Sequence, residues 1–203
     1  MLEFWTNKMS RGLIAHWMLE ELGQPYETHW LEWGPTGHKS PEFLKVNPMG
    51  KVPAIRHDGR VVTETAAICL YLADAFPDAG LKPSADKLAD YYRWTLFCAG
   101  PVEQAVSVKA MGWDVPPERE GTLGFGAFDH AINALDGHLQ NSAYVCGDTF
   151  TAADVYVGST VIWGLDFKSI CEPGERPALD AYADRLRPRA AYQRVNEISA
   201  AQS

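Results

Sequence analysis

The chain has 203 residues, 46% of them hydrophobic and 22% charged, a balance that supports a buried core and excludes a disordered chain. Its 26 acidic side chains against 18 basic ones give a formal net charge of −8, which repels phosphate backbones and excludes nucleic acid as a main partner. No uncharged run is longer than Val155 to Leu165, far short of the roughly 20 residues a membrane helix needs, so no membrane partner is expected.

Leu2 to Thr6 reads as a short apolar strand. The turn Asn7-Lys8-Met9 follows, then Ser10, a good helix N-cap. Leu13, Ile14, Trp17 and Met18 recur at helical spacing until Gly23 and Pro25 stop the helix. Tyr26 to Leu31 reads as a second strand, completing a βαβ unit with a parallel pair. After the polar loop Glu32 to Lys39, Ser40-Pro41 opens a short helix. Val52 to Arg56 and Val61 to Thr63 flank Asp58-Gly59, a hairpin signal, and a helix runs from Thr65 to Phe76, ended by Pro77.

Beyond this point strand signals vanish. A helix is expected over Asp86 to Ala110, with Leu88, Tyr91, Tyr92, Thr95 and Leu96 on its buried face and a kink at Pro101. Pro116 to Leu139 reads as helical, weakened by Gly121, Gly124 and Gly126. Thr151-Ala152-Ala153-Asp154 is a capping box opening a helix to about Leu165; Phe150 and Val155 stand at hydrophobic-staple positions. Two more helices are expected, one over Pro177 to Leu186 and a last one after Pro188. The expected organisation is an α/β domain over residues 1–77, a linker over 78–85, and an all-α domain over 86–203.

Cys69, Cys98, Cys146 and Cys171 are scattered among apolar neighbours, and the six histidines show no ligand spacing. Buried reduced thiols and no metal are therefore expected. The first residues, Met1-Leu2-Glu3-Phe4, carry neither the basic nor the apolar stretch of a signal peptide, so the expected location is cytoplasmic.

Asn47-Pro48-Met49-Gly50-Lys51-Val52-Pro53-Ala54-Ile55 is the most informative segment. A proline beginning a strand cannot donate to the ladder, which leaves the Val52 N–H and C=O free at an edge to pair with a peptide-like ligand. Thr63-Glu64-Thr65-Ala66-Ala67-Ile68 then places a carboxylate and a hydroxyl at a helix N-terminus. Its N–H groups and the Thr65 hydroxyl would receive a ligand carboxylate, and Glu64 an ammonium. A ligand with a peptide backbone, a carboxylate and an amine describes glutathione.

On these motifs the chain resembles the glutathione S-transferase family, nearly end to end and most closely its bacterial cytosolic members. The segments around Pro53 and Thr65 and the capping box at Thr151 carry the resemblance. It implies a thioredoxin-like N-terminal domain, a helical C-terminal domain, a homodimer, a cis proline at Pro53, and glutathione as co-substrate. The reacting species is then the thiolate. A free thiol of pKa ~8.5 is only slightly ionised at neutral pH, so a donor must be aimed at the sulfur. The family keeps that donor in the first strand-to-helix turn, where this chain offers Ser10, followed by Arg11, and Asn7 as second candidate. No cysteine stands there, against a mixed-disulfide mechanism. The beta-class bacterial enzymes carry Cys at this position and a His-Lys pair further on; here the pair is Glu103-Gln104, so the resemblance is to a serine type.

Lys39, Lys51 and Arg11 are candidates for the glycyl carboxylate of glutathione. The resemblance implies a small apolar electrophile as second substrate, with Phe97, Met111, Trp113 and Phe125 as candidate wall residues. Two alternatives stay open: a glutathione-dependent isomerase or thiol/disulfide reductase, and a non-catalytic binding module on the same scaffold.

Overall fold

The computed structural model describes Met1 to Gln202, which group into two compact units: Met1–Lys82 together with the chain from Arg189 onward, and Pro83–Pro188. In the first unit, strands β1 (Leu2–Thr6), β2 (Glu27–Trp30), β3 (Ala54–His57) and β4 (Arg60–Thr63) form one mixed sheet in the order β2-β1-β3-β4. β1 and β2 run parallel, as a βαβ crossover through α1 (Gly12–Leu22) requires, and β3 runs antiparallel to both β1 and β4. One face of the sheet, with Phe4 and Ile55, is covered by α1 and α3 (Thr65–Ala75), which bury Trp17, Met18, Leu19, Ile68 and Leu72. On the other face Trp5 and Ala54 pack with Phe43 of the short α2 (Pro41–Leu44), flanked by Leu31, Val46 and Val52. This is the expected thioredoxin-like arrangement.

The second unit is helical: α4 (Leu88–Phe97), α5 (Glu103–Ala110), α6 (Phe128–Leu139), α7 (Ala152–Asp166) and α8 (Pro177–Leu186). A π-helical turn over Cys98–Val102 separates α4 from α5. Pro101 lacks an N–H and crowds the preceding carbonyls, so the α ladder is interrupted where the sequence places the kink. Tyr91, Trp94, Thr95 and Cys98 form the buried stripe of this region, whereas Tyr92 and Leu96, expected inside, are 40% and 57% exposed. They stand one residue further round the helix, about 100° from that stripe. The expected helix from Pro116 is also corrected. Only Phe128–Leu139 is α-helical, preceded by a 3₁₀ segment at Pro117–Thr122 and irregular chain. The glycines between, Gly126 in a left-handed conformation among them, do not sustain an α-helix.

The last helix, α9 (Ala190–Ala200), packs on α1 in the first unit. The Arg189 guanidinium donates to both carboxylate oxygens of Glu21 at 2.7 Å, and the Trp17 indole N–H also donates to Glu21 at 2.8 Å. The four cysteines are buried and free. Burial pushes the Cys69 and Cys98 thiols up to about 12 and Cys146 to about 11, keeping them protonated and unreactive. Among the described residues, no helix is long and apolar enough to cross a membrane.

Candidate active site

Strand register gathers the glutathione-site candidates of the first unit. Trp5 pairs with Ala54 and Ala54 with Thr63, so the chain after β1, the chain before β3 and the chain after β4 leave the sheet at one end. The residues concerned are Asn7 and Ser10, then Val52 and Pro53, then Glu64 and Thr65. Leu31, just after β2, is tied to the same end by its N–H, which donates to the Thr6 carbonyl at 2.8 Å.

The turn after β1 is internally bonded. Asn7 is buried, its amide donating to the Leu31 carbonyl at 2.7 Å and its oxygen accepting from the Met9 N–H at 2.8 Å. The half-buried Ser10 hydroxyl donates to the Asn7 carbonyl at 2.6 Å and accepts from the Gly12 N–H at 3.0 Å. The helix proper begins at Gly12, with Arg11 rather than Ser10 at the cap position, yet Ser10 still supplies the capping oxygen. Position 12 must be glycine: a Cβ there would lie 1.9 Å from Thr6 Oγ1. That Thr6 hydroxyl is 1% exposed and has no hydrogen-bond partner, a condition that costs about 1–3 kcal/mol.

The Val52–Pro53 peptide is cis, as the resemblance implies. Pro53 is buried and Val52 half-buried. Among the described residues, neither the Val52 N–H nor its carbonyl finds a partner within the chain. The preceding loop is held from two sides. The buried Asn47 amide donates to the Lys51 carbonyl at 2.8 Å, its oxygen accepts from the Met49 N–H at 3.1 Å, and Lys39 Nζ donates to the Met49 carbonyl at 2.9 Å. Gly50, at φ +56°, leaves room for this crossing, since a Cβ would stand 2.9 Å from Lys39 Nζ. Lys39 thus has one ammonium proton engaged and two left for an anion. Lys51 is exposed beside it.

After β4, Glu64 takes φ +65°, ψ 113°, an uncommon conformation for a side-chain-bearing residue. Its exposed side chain forms no capping bond, and the first turn of α3 keeps N–H groups free to meet an anion at the positive end of the helix dipole.

The apolar candidates lie in the second unit. Phe97 is half-buried at the end of α4, its ring 5.4 Å from that of Trp94. Phe125 is buried, and Met111 and Trp113 are each 63% exposed. Among the described residues no group of three or more His, Cys, Asp or Glu could hold a metal ion. Sequence alone singles out neither Asn47 nor Thr6 as a site residue. For Asn47 a signal exists, an Asn opening an Asn-Pro-x-Gly turn; for Thr6 there is none.

Comparison with known proteins places the chain in a family. Residues 11–75 match the family model for the glutathione S-transferase N-terminal domain, and residues 117–190 that for the C-terminal domain. Glutathione S-transferase GST-4.5 of Xanthomonas campestris pv. campestris is 30% identical over 166 residues, 76% of this chain and 78% of that protein. Glutathione S-transferase GstA of Escherichia coli O157:H7 is 28% identical over 155 residues, 75% of each chain. A sphingomonad glutathione S-transferase solved in complex with glutathione superposes with a TM-score of 0.78 at 26% identity, over 98% of both chains. The chain belongs to the glutathione S-transferase family of enzymes.

Proposed function

We propose that this protein binds glutathione at the end of its sheet and attacks a small apolar electrophile with the bound thiolate. One observation carries the reading. A single sheet end presents an unpaired Val52 backbone, the α3 N-terminus with Glu64 and Thr65, and the Ser10 hydroxyl. Val52 pairs with the cysteinyl backbone of the ligand as an added strand would. Glu64 takes the γ-glutamyl ammonium, and Thr65 with the α3 N–H groups takes its carboxylate. Lys39 and Lys51 face the glycyl carboxylate.

Ser10 is the thiolate donor in this reading, which makes the enzyme serine-type. Asn7 is buried with both ends of its amide anchored, so it shapes the turn. Ser10 is the less buried of the two residues, and the bond of its hydroxyl to the neutral Asn7 carbonyl is exchanged for a charge-assisted bond to sulfur, roughly twice as strong. Phe97, Met111, Trp113 and Phe125, all beyond residue 86, are the proposed apolar walls for the electrophile. The enzyme is further proposed to be a cytoplasmic homodimer, with residues 1–77 as its glutathione domain and 78–85 as a linker.

Calorimetric titration with reduced glutathione at neutral and raised pH tests the reading, alongside assays of conjugation to an aryl halide and of disulfide reduction. Binding that releases protons near neutrality, with conjugation, is the expected result. Reduction without conjugation would replace the transferase assignment, and no binding at millimolar glutathione would make the chain a binding module for other partners.

A further inference from the structure

We propose that Thr6 is a positioning residue for the activating hydroxyl of Ser10. The inference rests on the assignment of Ser10 above and deepens it. Thr6 Oγ1 is enclosed at the end of β1, and its donor has no acceptor. Ser10 Oγ has two lone pairs, and only the Gly12 N–H uses one. The two hydroxyls are neighbours that are not bonded to each other in the free protein. From the place a Gly12 Cβ would occupy, Thr6 Oγ1 is 1.9 Å away and Ser10 Oγ 2.9 Å, so they are no farther apart than those two distances laid end to end. An orphan donor and an orphan lone pair therefore stand on either side of the one residue that has no side chain to separate them.

In the free protein Ser10 spends its proton on the Asn7 carbonyl, 2.6 Å away. When that proton turns to a glutathione thiolate, Ser10 Oγ keeps the Gly12 N–H and accepts the Thr6 O–H on its second lone pair. Two donors on one oxygen make its own O–H a better donor to sulfur, because hydrogen bonds in a chain polarise one another. No covalent bond changes and no proton leaves its oxygen. Thr6 touches no substrate; it acts through Ser10.

The test is the pKa of the bound thiol, read from the pH profile of kcat/KM and, independently of turnover, from the ultraviolet absorbance of bound thiolate during glutathione titration. Thr6→Val keeps the shape and removes the hydroxyl. Thr6→Ala is measured beside it, so that either folded variant serves. The expected result is a raised thiol pKa and kcat/KM lower by about three- to tenfold on the acid side of the profile, with KM for glutathione nearly unchanged. Thr6→Ser restores both, and in a Ser10→Ala background Thr6→Val has no further effect on the pKa. If Thr6→Val and Thr6→Ala follow the wild-type profile while Ser10→Ala raises the pKa, the inference is overturned and the assignment of Ser10 stands. If Ser10→Ala leaves the pKa unchanged, that assignment fails and the role of Thr6 with it.

Discussion

The side-chain amide of Asn47 donates to the Lys51 carbonyl at 2.8 Å, while its oxygen accepts from the Met49 N–H at 3.1 Å. One buried side chain thereby closes the loop that delivers Val52 to the sheet end. Asn47→Ala takes the partner from the Met49 N–H and from the Lys51 carbonyl in a part-buried turn and is expected to cost about 1 kcal/mol of stability. The loosened Val52 backbone should raise KM for glutathione several-fold with a smaller change in kcat. Denaturant titration and steady-state kinetics on the same preparation check both, and an unchanged KM would separate the loop from the site.

Glu64 joins β4 to α3 in a left-handed conformation that side-chain-bearing residues avoid, a strain of order 1–3 kcal/mol. Glycine adopts it without a Cβ penalty. Glu64→Gly is therefore expected to leave the midpoint of thermal unfolding unchanged or higher while weakening glutathione binding by about tenfold or more, since the proposed partner of the ligand ammonium is lost. A desamino analogue of glutathione should bind wild type and variant alike. Loss of stability in Glu64→Gly would show that the side chain is retained for folding.

The proposed glutathione site was legible because its parts are local. Val52-Pro53 and Glu64-Thr65 each announce themselves within a few residues, and the βαβ and hairpin signals set the strand directions that bring them together. The state of the activating turn was not legible. That Ser10 already gives its proton to Asn7, and that Thr6 lies under Gly12, depends on side-chain placement at the tip of β1. Nor does local sequence reveal that Arg189 reaches Glu21, since nothing near either residue marks its distant partner. Tyr92 and Leu96 show the remaining difficulty. In a helix with apolar residues spread over more than half its circumference, spacing alone does not choose the buried face.

The capping box at Thr151 is a stability element with a specific cost. Asp154 is fully buried, and its carboxylate accepts from the Thr151 N–H at 2.9 Å, the Thr151 hydroxyl at 3.1 Å, the Val145 N–H at 2.8 Å and the Tyr182 hydroxyl at 2.9 Å. Asp154→Ala strands these donors in the core of the second unit, and the expected loss is about 3 kcal/mol or more. Calorimetric unfolding should show it. A loss below about 1 kcal/mol would mean that the network is weakly held.

His16 is expected to shape the acid side of the stability profile. The Tyr26 hydroxyl donates to the Glu20 carboxylate, so its oxygen must accept from His16 Nε2, 2.7 Å away; His16 then carries its proton on Nε2. Nδ1 is buried without a partner, and protonating it would place a charge where no acceptor exists. Burial accordingly lowers the His16 pKa from its ordinary 6.5, opposed by the Glu20 charge. The unfolded chain then binds a proton more readily than the folded one. The stabilisation is fully present above about pH 6.5 and is lost as pH falls through the lowered folded value. Burial also raises the Asp154 carboxyl, which acts in the opposite sense on acidification, so the two must be separated by mutation. His16→Phe keeps the aromatic packing against Phe4, 5.3 Å between ring centres, and removes the titrating group. Denaturant titrations between pH 5 and 8 should show stability falling less steeply on the acid side in His16→Phe than in the wild type. Parallel curves would assign the acid sensitivity elsewhere.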